Sequence, residues 1–191
     1  MNAVLAMPWE LRLAALALVG VWAGSAVNWA VYRLAWNPRP ISPFGPAPPD
    51  GPPRRFLDRI PVAGWLGLRR EAGIHGRRFW MRPMAVEAVL GAGLPLLYWW
   101  EVGQAALLPP GLPAPTGAAL AVLHVQFVAH ALLIVFMLAA SLIDADEKII
   151  PDAITVPGTW LGLIVAAIVP RSLLPAIVPD LLVAPGQPVP A

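Results

Sequence analysis

The sequence predicts an all-α integral membrane protein, with about four transmembrane helices and a basic, proline-rich cytoplasmic loop between the first and the second. Three observations carry that prediction. Of 191 residues, 58% are hydrophobic and only 13% charged, with a mean hydropathy of +0.68; a soluble domain carries about a quarter charged residues. The apolar residues come in long uncharged runs rather than in alternation. Ten of the 13 basic residues fall between Arg33 and Arg82, a local cluster rather than a basic face. Ordinary soluble enzymes, disordered tails and nucleic-acid modules are excluded on these grounds, so no nucleic-acid partner is expected. Cysteine is absent, which excludes disulfides and cysteine-ligated metal sites.

The first helix belongs to a segment covering residues 1–36. Leu13–Tyr32 is 20 residues without a charge, about 30 Å of helix and one hydrocarbon thickness. A cleaved signal peptide is the competing reading, but Glu10 stands beside Arg12 and the positive charge follows the run instead of preceding it. The arginine-rich stretch is therefore cytoplasmic and the N-terminus outside. Residues 37–83 form the loop subdomain. It begins extended and proline-rich from Pro38 to Pro53. Leu57, Ile60, Val62, Trp65, Leu66 and Leu68 then offer a small apolar surface, too little to fold robustly without a staple.

Three further spans occupy residues 84–170: one from Met84 past Trp99 and Trp100, one over Gly117–Ile143, one over Ala153–Pro170. Pro109, Pro110, Pro113 and Pro115 make an external turn, and residues 171–191 a proline-broken tail. The 20-residue first run and the later apolar runs imply membrane lipid as an obligate partner.

Four stretches carry polar groups that apolar surroundings make costly. Gly20 and Gly24 form a small-xxx-small seam for close helix packing, and Asn28 should face the bundle. Phe56–Arg70 is basic and suits anionic head groups or an acidic segment, with a solvated, topology-setting loop as the plainer reading. Glu87, just inside the second span, is expected to pair with a loop arginine. In segment 141–157, Asp144 follows 42 uncharged residues. A carboxylate there is expected to be partly desolvated, with its acid form favoured, as general acid–base chemistry requires. Spacing alone also allows a simple helix end. Asp152 reads as an N-cap for the fourth helix, accepting near Thr155, and Asp146 and Glu147 as solvated turn residues. His124 and His130, six apart, point about 120° from each other and cannot share a metal; each is expected to hydrogen-bond inside the bundle. His75, in a turn, lacks partner ligands.

In this order the stretches resemble the type IV prepilin leader peptidases, polytopic membrane aspartic proteases. Gly24-Ser25-x-x-Asn28 with Val31-Tyr32-Arg33-Leu34 is similar to their first helix. Asp58-x-Ile60-Pro61-Val62-x-x-Trp65-Leu66 resembles the start of their cytoplasmic loop, and Arg82-Pro83 through Glu87 its exit. Asp144 with Ile150-Pro151-Asp152 and Pro157 resembles the segment bearing the first catalytic aspartate. The resemblance covers residues 20–165 and implies cleavage of prepilin or pseudopilin precursors at the cytoplasmic face of the bacterial inner membrane. Two aspartates would activate water there, Asp144 being one. N-methylation with S-adenosylmethionine is a second activity the family carries. Zinc, held in relatives by paired Cys-x-x-Cys motifs, is not expected here. The region around Phe44-Gly45 and Glu71–Gly76 is expected to rely on packing and arginine pairs. The partner aspartate's Gly-x-Gly-Asp motif does not occur in the 191 residues. The expectation is an N-terminal portion of such an enzyme, truncated or split and inactive alone. The alternatives are a non-catalytic scaffold or assembly subunit of a pilus or secretion system, and two copies each donating Asp144.

Overall fold

The computed structural model describes residues 7–39, 41–108, 115 and 117–170, and among them every element is helical. The elements are α1 (Trp9–Arg33), α2 (Ala63–Leu68), α3 (Ala72–His75), α4 (Met81–Tyr98), α5 (Gly117–Glu147) and α6 (Asp152–Ile168). Two are long and apolar enough to cross a membrane, α1 and the Ala119–Glu147 stretch of α5. The expected external turn lies almost wholly outside the described residues, and the 171–191 tail entirely so.

The chain divides into two compact units: one holds residues up to Pro95 together with Val135–Thr155, the other Leu96–Ile134 with the chain from Val156. In the first, Val27, Val31 and Ala35 follow the i, i+4, i+8 face of α1 and its exit. They meet Val86 and Leu90 of α4, Ala139 and Ile143 of α5, and Ile154. The seam expected at Gly20 and Gly24 is present. A Cβ on Gly20 would lie 2.2 Å from the Leu90 carbonyl oxygen, and one on Gly24 2.5 Å from the Glu87 Cα. Only a bare backbone allows α1 and α4 to approach this closely.

The loop subdomain packs on the same unit. Trp65 and Leu68 are buried with Tyr32 of α1, and Phe44 stacks on Trp22 with ring centroids 6.0 Å apart. The expected apolar surface is only half internal, since Leu57, Ile60 and Leu66 are exposed. Trp65 and Leu68, on one side of the short α2, fill the available core.

The second unit is built around Tyr98, which meets Phe127 edge-on at 5.0 Å, with Val102, Val122 and Leu123 buried beside them. Pro95 lies inside α4 and withholds one backbone donor. Shortly afterwards the chain passes into a π-helical turn, Trp99–Gly103.

Candidate functional site

Glu87 is the centre of the first unit's polar interior. Its Oε1 accepts from Ser25 Oγ (2.8 Å), Asn28 Nδ2 (3.2 Å) and Trp65 Nε1 (2.9 Å). Its Oε2 accepts from the Val62 backbone N–H. Asn28 Nδ2 also donates to the Pro83 carbonyl at 2.9 Å. The arginine partner expected from the sequence is replaced by four neutral donors, two from α1 and two from the loop. Glu87 faces the Gly24 crossing, where a Cβ on Gly24 would lie 3.2 Å from the Glu87 Cγ.

The loop residue that reaches Glu87 is held in an unusual backbone. Val62 has φ 64° and ψ −63°, with Ala63 N–H bonded to the Pro61 carbonyl at 2.7 Å. That is the strained γ-turn, costly for a β-branched residue and found where surrounding structure enforces it. The enforcing contacts are the Val62–Glu87 bond and the fit beneath α2. A Cβ on Gly64 would sit 2.0 Å from the Asp58 carbonyl oxygen, and one on Gly67 2.4 Å from Asp58 Oδ1. The Asp58 carboxylate accepts from Arg55 N–H at 2.7 Å and from Arg70. Arg54 pairs with Glu71, both almost fully buried. His75 lies 3.6 Å from the other Glu71 oxygen and against the Phe79 ring. The staple that so small a subdomain requires is thus a pair of buried arginine–carboxylate contacts.

The segment 141–157 begins inside α5, which continues four residues past the expected end at Ile143 and stops at Glu147. Lys148, at φ 59°, turns the chain out of the helix while its N–H still bonds the Asp144 carbonyl at 2.8 Å. Asp146 and Glu147 lie in α5 rather than in a turn, and both have partners, although Asp146 is exposed as expected. Asp146 takes both guanidinium nitrogens of Arg82 (2.6 and 2.9 Å) and one of Arg39 (2.6 Å). Glu147 accepts from the backbone N–H groups of Trp36 and Asn37, the latter at 2.9 Å. These two acids tie the end of α5 to the chain leaving α1 and to the start of α4, and with Trp36 and Ile149 they line a cavity of about 540 Å³. Asp152 is not a cap either. It is the first residue of α6, and the Thr155 N–H goes to the Pro151 carbonyl at 3.3 Å.

Asp144 itself follows the buried Ile143 (1% exposed) and is exposed on the surface of its own chain. No side-chain partner for its carboxylate occurs among the described residues. It is an accessible acid on a well-anchored helix end. Alone it offers one proton-transfer or water-orienting group; two-carboxylate chemistry needs another brought to it.

In the second unit, the expectation that His124 and His130 hydrogen-bond internally holds. His124 Nδ1 donates to the Leu120 carbonyl (2.7 Å), so its Nε2 accepts from the Tyr98 hydroxyl (2.9 Å). His130 Nδ1 bonds Glu101 Oε1 at 2.7 Å. Glu101, in the π-helical turn and only 3% exposed, escaped the sequence reading. Its signal was a lone acid preceding a 42-residue uncharged run that contains a histidine. Among the described residues no group of three or more His, Cys, Asp or Glu side chains is arranged to hold a metal ion.

Comparison with known proteins finds similarity to peptidases. Residues 131–184 match the model of the type IV leader peptidase family, and that span includes Asp144. Three relatives are each described as a prepilin leader peptidase/N-methyltransferase. The chain is 32% identical over 111 residues to the one from Pseudomonas putida, covering 58% of this chain and 32% of that protein. The Burkholderia pseudomallei protein is 28% identical over 187 residues, 84% of this chain and 53% of that one. The Stutzerimonas stutzeri protein is 28% identical over 116 residues, 58% of this chain and 32% of that one. The chain thus spans between about a third and a half of these relatives' length. No solved structure matches it. The resemblance read from the motifs is thus matched by similarity to the type IV leader peptidase family over residues 131–184 and to these three relatives.

Proposed function

We propose that this chain supplies the Asp144-bearing half of a prepilin leader peptidase, an aspartic endopeptidase acting at the cytoplasmic face of the inner membrane. The observation that carries the proposal is the family match across residues 131–184, which brackets the exposed Asp144. Asp144 is the general acid–base. It accepts a proton from water as that water attacks the scissile carbonyl, and a second carboxylate shares the charge. Two carboxylates at one site cannot both ionise cheaply, so the pair titrates as a unit. The 191 residues contain no Gly-x-Gly-Asp, and in this proposal the second acid comes from another segment.

In this reading α1, α4, α5 and α6 are the four spans, with the N-terminus outside. The precursor's basic leader arrives from the side of Arg33–Arg82. Prepilin or pseudopilin precursors are the substrates. Methyl transfer from S-adenosylmethionine is a secondary part of the proposal, resting on the relatives' names alone. Zinc has no part in it, because arginine–carboxylate pairs at Arg54–Glu71 and Arg70–Asp58 brace the loop.

A second reading, a membrane scaffold of a pilus or secretion assembly, is favoured by one observation: the fold is held by Glu87, Asp146 and Glu147, without Asp144. One experiment separates them. The chain is reconstituted with a prepilin, alone and together with the Gly-x-Gly-Asp-bearing segment of a relative, and leader release is followed by mass spectrometry. Cleavage that needs both pieces and disappears with Asp144→Asn is expected. Binding without cleavage in either condition supports the scaffold, and undiminished cleavage by the Asp144→Asn chain removes that residue from the chemistry.

A further inference from the structure

A second cavity in the first unit, about 550 Å³, is distinct from the one beside Glu147. Three guanidinium groups line it, Arg39, Arg78 and Arg82, with Tyr32 between them and Ile74 and Phe79 on its apolar side. Asp146 is the acid that holds Arg39 and Arg82 in place. Arg39 is also fixed over the Tyr32 ring, 5.5 Å from its centroid. The Tyr32 hydroxyl is within hydrogen-bonding reach of Arg82. Arg78 is exposed, and among the described residues it has no partner. Three positive charges facing one negative charge leave an excess of two in a concave, partly apolar setting. Guanidinium groups gathered in one cavity suit the oxygens of a phosphate, and an adjoining apolar wall suits what such a phosphate is attached to. The residues also gather where α1 ends (Tyr32) and α4 begins (Arg82), at the charged limit of the apolar run Leu13–Tyr32. Basic pockets at that level take lipid head groups.

We infer that this cavity binds a phosphate group, seated on Arg39, Arg78 and Arg82 with its apolar substituent against Ile74 and Phe79. The phosphate comes either from an anionic phospholipid or from a soluble source. The site uses neither Asp144 nor any proteolytic step, so its test is independent of the proposed activity.

The full chain in detergent is titrated with dioleoylphosphatidylglycerol, with dioleoylphosphatidylcholine and, separately, with inorganic phosphate, and bound ligand is counted by native mass spectrometry. Phosphatidylglycerol is expected to bind in preference to phosphatidylcholine. Arg78→Gln should weaken it about five-fold, the worth of one arginine at an anionic group. Arg77→Gln removes the same charge one residue away, outside the cavity lining, and should leave binding within about two-fold. Ile74→Glu, an exposed position, should abolish the preference by placing a carboxylate in the cavity. Should inorganic phosphate bind with the same variant pattern and no lipid preference appear, the site stands with a soluble ligand. Equal weakening by Arg77→Gln and Arg78→Gln would reduce the effect to diffuse charge and overturn the site, as would the absence of phosphatidylglycerol preference together with no phosphate binding.

Discussion

Glu87 and Asp144 are both carboxylates on long apolar helices, yet their surroundings are opposite. Glu87 is 1% exposed and accepts hydrogen bonds from four donors drawn from α1 and the loop. Asp144 is exposed, and among the described residues its side chain has no partner. Asp58, Glu71, Asp146 and Glu147 resemble Glu87, each engaged with arginine or backbone donors. An acid that already has a structural task is poorly placed to exchange protons with a substrate, because each bond to it must first be broken. Asp144 and Asp152 lack such a task among the described residues, and both lie within the matched stretch 131–184.

The contrast is broken most severely by exchanging tasks. Asp144→Asn, tested with a second aspartate-bearing segment present, is expected to reduce leader cleavage by roughly three orders of magnitude. Helical circular dichroism and the thermal midpoint should not change. Glu87→Leu should do the reverse to the fold. It leaves the donors of Trp65 and Val62 without an acceptor and Asn28 with the Pro83 carbonyl alone, a loss of about 3 kcal/mol in a denaturation titration in micelles. Gly64→Ala drives a methyl group into the Asp58 carbonyl and should cost about 2 kcal/mol, read in the same titration. Asp146→Asn is the mildest. Arg39 and Arg82 are substantially exposed, so the loss should be at most about 1 kcal/mol and shrink further in high salt.

The helices were legible because their signal is composition over long windows: α1, α5 and α6 begin and end within a few residues of their uncharged runs. The glycine seam was legible for the same reason, as Gly20 and Gly24 repeat on one helical face. Partners were not. The pairing of Glu87 with an arginine was the electrostatic guess. Deciding against it requires knowing that Gly24 brings two backbones together and that Val62 adopts a positive φ, both tertiary facts. Asp146 and Glu147 looked like solvated residues because a charged cluster after a span usually is one. Their bonds depend on the chain returning past Trp36 and on Arg82 opening α4, separated from them by over 60 residues. Glu101 was not legible because an acid directly after Trp99 and Trp100 reads as the wet end of a span, and its partner His130 lies 29 residues further on.

The two loop donors on Glu87 have a consequence for how the molecule assembles. The loop is no detachable appendage, since removing the stretch between Arg33 and Met81 takes away two of the four donors to Glu87. The packing of α1 on α4 and the seating of the loop thus meet at a single carboxylate.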